Sequence, residues 1–173
     1  MTVDRFIQHY QIQPADAIVM RKKFFGMVDH YVIYVGVHNG KHCFVANYTQ
    51  GVKEISNQEL NSFLQVLQPT KIDRFPGPAD HRPYAVAKAI SQVGKKAYSY
   101  ISNNCEHFKN WVHTDDHRSD QVNNAGNIVA GVGVAAAVGG LAKKNTTVAA
   151  LGLGAIALGL FLKSSATDNN KKK

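Results

Sequence analysis

Apolar positions change their spacing several times along the chain. Residues 31–37 (YVIYVGV) form a nearly unbroken run of β-branched and aromatic side chains, which predicts a strand. Asn39-Gly40 follows, the dipeptide of a two-residue hairpin turn, and residues 42–48 (HCFVANY) return as the partner strand. A shorter β-like run, residues 17–21, comes after Pro14. Ser56-Asn57-Gln58-Glu59 reads as a capping box, and Leu60, Phe63, Leu64 and Leu67 then recur at helical spacing. Four of the five prolines fall in residues 69–83, which predicts an irregular loop. Pro83 suits the first turn of another helix, with Val86, Ile90 and Val93 on its buried face and Gly94 closing it. Residues 98–102 suggest a short strand. Asn103-Asn104-Cys105-Glu106 is a second cap signature, with Asn103 as the cap and Glu106 at N3.

The pattern then changes character. Residues 118–127 are polar and read as a linker. Two apolar runs follow, residues 128–142 and 148–162, split by Lys143-Lys144-Asn145-Thr146-Thr147. Each is 15 residues. That is about 22 Å of helix against a hydrocarbon core of about 30 Å. The runs have almost no polar face to show water, so membrane contact is favoured over a buried Ala/Gly hairpin. Their length favours a shallow hairpin or a re-entrant pair, which would leave the Asn145 sequon unglycosylated. Gly131, Ala135 and Gly139 sit four apart and would permit close helix packing.

Composition sharpens this division. The chain has 173 residues, 45% apolar, enough for a core in one or two domains. Its net charge of +8 is unevenly spread, being +3 over residues 1–127 (14 basic, 11 acidic) and +5 over residues 128–173 (6 basic, 1 acidic). Fifteen of 16 aromatic residues lie at or before Trp111. Collagen, a coiled coil and a disulfide scaffold are excluded. Two cysteines with no CxxC exclude a zinc ribbon. The N-terminal MTVDRFIQHYQIQ lacks an apolar secretory core, so the expected location is the cytoplasmic face of a membrane, not secretion. The short basic patches come without a groove-reading motif, so anionic lipid head groups fit them better than nucleic acid.

Cys105 carries the chemistry. A thiol in the first turn of a helix meets unpaired N–H groups and the positive end of the macrodipole, which favour a thiolate nucleophile. The same N–H groups would suit an oxyanion. Cys43, inside a strand, reads as a small apolar residue. The thiolate needs a base; His107 and His113 lie on the wrong parts of the same helix, and His30 at the start of the strongest strand is the candidate. A third group should orient that imidazole. Strand parity puts His42, Phe44 and Ala46 on one face, where His42 is the polar choice; Asn47 on the other face is the alternative.

Asn104-Cys105-Glu106-His107-Phe108 matches the NCEHF box of the lecithin–retinol acyltransferase-like family, and residues 30–36 (HYVIYVG) resemble its histidine box. Pro14-Ala15-Asp16 resembles a P-G-D motif, and Arg118-Ser119-Asp120-Gln121-Val122 before a small-residue apolar stretch looks like the phospholipase A/acyltransferase (H-rev-type) branch. The resemblance implies an α+β, circularly permuted papain-like (NlpC-type) domain, with a small antiparallel sheet packed on helices. The implied layout is a catalytic domain over residues 1–117, a linker over 118–127, hydrophobic membrane-associating segments over 128–162 and a basic tail over 163–173. It further implies that Cys105 attacks a glycerophospholipid ester with His30 as general base and acid, forming a thioester. Water, an amine or a lysophospholipid hydroxyl then resolves that thioester. Phosphatidylcholine and phosphatidylethanolamine are the implied substrates, and no metal or cofactor is called for. Counting from His30 places His42 at the family's third catalytic position, whereas aligning the glycine turns places Phe44 there. Two other readings fit the same residues: a non-catalytic membrane- or partner-binding relative, and a cysteine peptidase or amidase.

Overall fold

The computed structural model describes residues 2–21, 29–48, 50–66, 68–95, 104–115 and 120–167. The chain divides into two units, Met1–Asp116 and His117–Lys173.

The first unit is α+β. Helix α1 (Val3–Tyr10) precedes strands β1 (Ala17–Arg21), β2 (Asp29–His38), β3 (Lys41–Tyr48) and β4 (Gly51–Ile55). Helix α2 (Asn57–Val66), strand β5 (Gln68–Asp73) and helices α3 (Arg82–Ser91) and α4 (Cys105–Thr114) complete it. The five strands form one antiparallel sheet in the order β4-β3-β2-β1-β5. Asn39 (φ +50°) and Gly40 (φ +73°) close the β2–β3 hairpin, as the Asn-Gly signal predicts for a turn with two left-handed residues. The β2–β3 register shifts between Tyr34 and Gly36, and Gly36 takes φ +108° there. A bulge with that backbone angle explains the glycine that ends the HYVIYVG run.

Several elements depart from the sequence reading. Part of the expected 69–83 loop is β5; Pro69 is tolerated because β5 is an edge strand and its register against β1 shifts next to Pro69. Strand β4 and helix α1 are additional to the elements that the spacing predicts. The α3 face turned inward is Ala85, Lys88 and Ala89, with Val86 half-buried against the same core as expected, while Ile90 and Val93 are exposed. The two alanines let the helix come close to the sheet. The short strand expected over residues 98–102 lies outside the described residues.

Helices cover both faces of the sheet. On one, Phe6 and Ile7 of α1 and Leu60 of α2 pack with Ile18, Met20, Val32, Tyr34, Phe44 and Ala46. On the other, α3 and α4 pack through Ala85, Ala89, Phe108 and Val112 onto Val19, Tyr31, Ile33 and Val45, and Cys105 belongs to this cluster.

The second unit is an antiparallel pair, α5 (Asp120–Ala142) and α6 (Thr146–Thr167). A Cβ added to Gly133 would stand 2.7 Å from the Gly152 carbonyl oxygen and 2.6 Å from the Ile156 nitrogen. Gly126, Gly140, Gly152 and Gly159 meet the opposite helix's backbone in the same way. The contact stripe is therefore Gly126, Gly133 and Gly140, seven residues apart, instead of the expected Gly131, Ala135 and Gly139; Gly131 and Ala135 are exposed and Gly139 is half-buried. The helix also begins inside the segment expected to be a linker, because Asp120 and the polar residues after it extend α5 toward its N-terminus. The apolar spans become Val122–Ala142 (21 residues) and Thr146–Ser164 (19 residues), both long and apolar enough to cross a membrane.

Candidate active site

The start of α4 is built around Asn104. Its extended backbone (φ −88°, ψ −178°) makes it the cap, and its Oδ1 accepts from the N–H groups of Glu106 (3.0 Å) and His107 (3.1 Å). The Asn104 N–H donates back to His107 Nδ1 at 3.4 Å. The cap therefore sits one residue later than the sequence suggested, and His107, not Glu106, closes the box at N3. Two adjacent asparagines made the register ambiguous. Glu106 Oε1 instead accepts from the Tyr31 hydroxyl at 3.4 Å. Cys105 falls at N1, 2% exposed. This is the first-turn position where the helix end favours a thiolate. The N–H groups of Glu106 and His107 serve the cap, and that of Phe108 donates to the Asn104 carbonyl (3.0 Å). Three of the first-turn N–H groups expected to face an oxyanion are thus engaged by Asn104.

Strands β2 and β3 bring their ends to this helix start. Asn47, 1% exposed, donates from Nδ2 to the Asn104 carbonyl at 3.5 Å, tying β3 to the cap. His30 is 3% exposed and lies against Tyr48, with ring centroids 5.0 Å apart, and edge-on to Phe63 of α2 at 6.3 Å. The Tyr48 hydroxyl is buried and makes no hydrogen bond of normal length. Burial pushes its pKa well up, as do the charge of the Glu59 carboxylate and a longer hydrogen bond to it. Tyr48 thus packs beside His30 on the face of the sheet that α2 covers. Sequence reasoning missed it, although the signal was present. The alternation His42, Phe44, Ala46 continues to Tyr48, which is polar and on the same face.

His42 is not brought to His30. It pairs with Val37 beside the hairpin turn, seven residues along β2 from His30. That is about 23 Å of strand. Its Nδ1 bonds the Tyr34 hydroxyl (2.7 Å) and its Nε2 faces Asp4 of α1 (3.3 Å). The alternative by turn alignment, Phe44, is fully buried in the α1/α2 core. Chain spacing suggested His42; the register of the hairpin decides otherwise.

Charged pairs fix α4 against the sheet. Lys109 bonds Asp73 of β5 at 2.8 Å and lies 5.2 Å from the Tyr31 ring centroid. Burial would raise the Asp73 pKa, but the bond and charge of Lys109 outweigh it and hold it below the ordinary value. Lys88 of α3 bonds the Trp111 carbonyl (2.7 Å) and pairs with Asp115. His113 Nε2 bonds the Ala15 carbonyl at 2.7 Å, and burial pushes its pKa down to about 4. Among the described residues no three His, Cys, Asp or Glu side chains gather as metal ligands would.

The model of one protein family, described as lecithin retinol acyltransferase, matches residues 10–118, more than half of the chain. Comparison with curated proteins gives no match.

Proposed function

The chain belongs to the lecithin retinol acyltransferase family, and from that premise we propose that it is a thiol-dependent phospholipase A/acyltransferase of membrane glycerophospholipids. The observation that carries this reading is Cys105 at N1 of α4, buried beside an asparagine cap. The cycle that this reading requires is the following. His30 takes the thiol proton, and the thiolate attacks the ester carbonyl. Collapse of the tetrahedral adduct forms a thioester and expels the lysophospholipid alkoxide, which takes the proton back from His30. Water then yields fatty acid, or an amine or lysophospholipid hydroxyl yields the transferase product. We read the first unit as a circularly permuted papain-like domain of the phospholipase A/acyltransferase branch, with phosphatidylcholine and phosphatidylethanolamine as substrates.

The helical pair supports membrane attachment. Its outward residues include Ile128, Val132, Val138, Leu141, Leu151 and Leu160, all more than half exposed. An apolar surface on every side suits the hydrocarbon core better than the interface. At 21 and 19 residues, the spans measure about 31 and 28 Å against a core of about 30 Å. We therefore read a membrane-crossing hairpin in place of a shallow dip, with both ends and Lys163 on the cytoplasmic side.

The test is product analysis on mixed phosphatidylcholine/phosphatidylethanolamine vesicles. The wild type is expected to release fatty acid and N-acylated lipid, and Cys105→Ser neither. Equal release by both proteins would overturn Cys105 as the nucleophile. The position of His42, far along β2, favours a second reading, a non-catalytic membrane-binding relative; wild-type release that depends on Cys105 excludes it.

A further inference from the structure

Along most of its length α4 meets the sheet through apolar side chains. Phe108 and Val112 pack on Val19, Ile33 and Val45, which presses the helix down without fixing its direction. The helix start is different. The residues on either side of Cys105 are each met by a buried polar side chain from the strands. From β3, Asn47 donates through Nδ2 to the Asn104 carbonyl at 3.5 Å. From β2, the Tyr31 hydroxyl donates to Glu106 Oε1 at 3.4 Å. Tyr31 belongs to the same cluster as Cys105, and Asn47 follows Val45 of that cluster by two residues, on the same face of β3.

The Asn47 contact acts on the nucleophile through one peptide unit. The Asn104 carbonyl, the Cys105 nitrogen and the Cys105 Cα lie in one plane, so a bond that fixes the oxygen fixes the plane that carries Cys105. The same oxygen accepts the helical bond from the Phe108 N–H at 3.0 Å. That bond ties it to α4 alone, whereas the Asn47 bond ties it to the sheet. The Tyr31 contact is itself braced, because Lys109 Nζ lies 5.2 Å from the Tyr31 ring centroid and bonds Asp73 of β5 at 2.8 Å. Asn47 is 1% exposed and Tyr31 5%. Burying an amide and a hydroxyl carries a desolvation cost that leucine and phenylalanine would avoid. What the polar pair adds is direction, since a hydrogen bond depends on angle and apolar packing does not.

We propose that Asn47 and Tyr31 are positioning residues, which hold the residues before and after Cys105 and so aim its thiol at an ester carbonyl. This rests on the acyl-transfer reading of the site. Neither side chain touches the reacting atoms. Attack on a carbonyl needs sulfur and carbon close and aligned, and a displacement of about 1 Å costs roughly 10²-fold in rate. A thiol displaced by that much stays open to a small reagent that approaches from any angle.

The experiment compares full-length wild type, Asn47→Leu and Tyr31→Phe in detergent micelles, well below each thermal midpoint. Two reactions at Cys105 are followed by mass spectrometry of its peptide. Acylation by a p-nitrophenyl acyl ester demands an aligned thiol, whereas alkylation by iodoacetamide reads only the available thiolate. The expected result is acylation slowed roughly 10- to 10²-fold in Asn47→Leu and by a smaller factor in Tyr31→Phe, with alkylation within about twofold of wild type in both. An acylation-to-alkylation ratio equal to that of wild type in both variants overturns the proposal, because a purely structural role lowers the midpoint and leaves that ratio unchanged. A parallel fall in both reactions also overturns it, because the thiolate itself is then lost and not its aim. If Asn47→Leu shows no cooperative melt, the ratio in Tyr31→Phe decides. A wild type that is alkylated at Cys105 but never acylated contradicts the acyl-transfer reading, and the positioning assignment falls with it.

Discussion

Asp16 anchors the catalytic unit, and its replacement by asparagine has a calculable cost. The carboxylate is fully buried and accepts four bonds. Oδ1 takes the Phe75 N–H (3.0 Å) and Arg82 (2.9 Å); Oδ2 takes the Gln13 N–H (3.1 Å) and Arg74 (2.8 Å). These bonds tie the turn before β1 to the β5–α3 connection. Asp16→Asn keeps one oxygen and sets an NH2 group against two donors, whichever way the amide turns. It also leaves two guanidinium groups without their buried counter-charge. Breaking a buried ion pair costs about 3–5 kcal/mol. Arg74 is 48% exposed, so its share is screened by solvent. The sum is about 3 kcal/mol, a large part of the 5–15 kcal/mol that stabilises an ordinary domain. Trp111 is the only tryptophan and lies in α4, so its fluorescence reports on this unit alone. With a urea slope of about 2 kcal/mol per molar, the midpoint should fall by about 1.5 M at pH 7. A fall under about 0.5 M would refute the reasoning. The pH dependence follows from the same contacts. Burial alone would raise the Asp16 pKa, but the Phe75 and Gln13 N–H groups and the two arginines outweigh it and hold it below 3.8. The stabilisation is therefore complete above the unfolded value and lost as pH falls through the folded one, a loss that Asp16→Asn lacks.

His113 gives a second, milder acid response. It is neutral in both states above its ordinary pKa of 6.5, and between 6.5 and about 4 only the unfolded chain takes up the proton. Stability should fall across that window by up to about 3 kcal/mol, and His113→Gln should flatten the decline in urea titrations from pH 7 to 4. His42→Ala should leave acyl transfer within about twofold of wild type while costing about 1 kcal/mol of stability, from loss of the Tyr34 bond; a hundredfold loss of rate would restore His42 to the catalytic set. Gly133→Leu should force α5 and α6 apart at a cost of about 1–3 kcal/mol, seen as faster amide exchange along both helices in micelles, whereas Gly131→Leu should change nothing.

Local chemistry made much of the fold legible. The Asn-Gly turn and the YVIYVGV run specify the hairpin, because both record backbone preferences that need no partner. Position along a register is different. His42 looked right by counting from His30, but the bulge at Gly36 and the two-residue turn put it opposite Val37. Only pairing could reveal that Tyr48 faces His30. The α1 signal was present in Val3, Phe6, Ile7 and Tyr10 at helical spacing behind the Thr2 cap. The β5 signal was masked by Pro69, which an edge position excuses. In the helical pair, two glycine stripes were available on α5, and only the partner helix decides which is used. The helix start that carries Cys105 was the most legible feature of the site, because a cap, a thiol and a helix start are all local.

The account turns on whether Cys105 forms an acyl thioester. The direct measurement is intact and peptide mass spectrometry of the full-length protein, quenched in acid after brief mixing with phosphatidylcholine vesicles of one defined acyl chain. The prediction is a mass increase equal to that acyl group, confined to the Cys105 peptide, removed by hydroxylamine and absent in His30→Ala. Fatty acid released with no adduct on Cys105 at any mixing time, or an adduct on Cys43 instead, would contradict it.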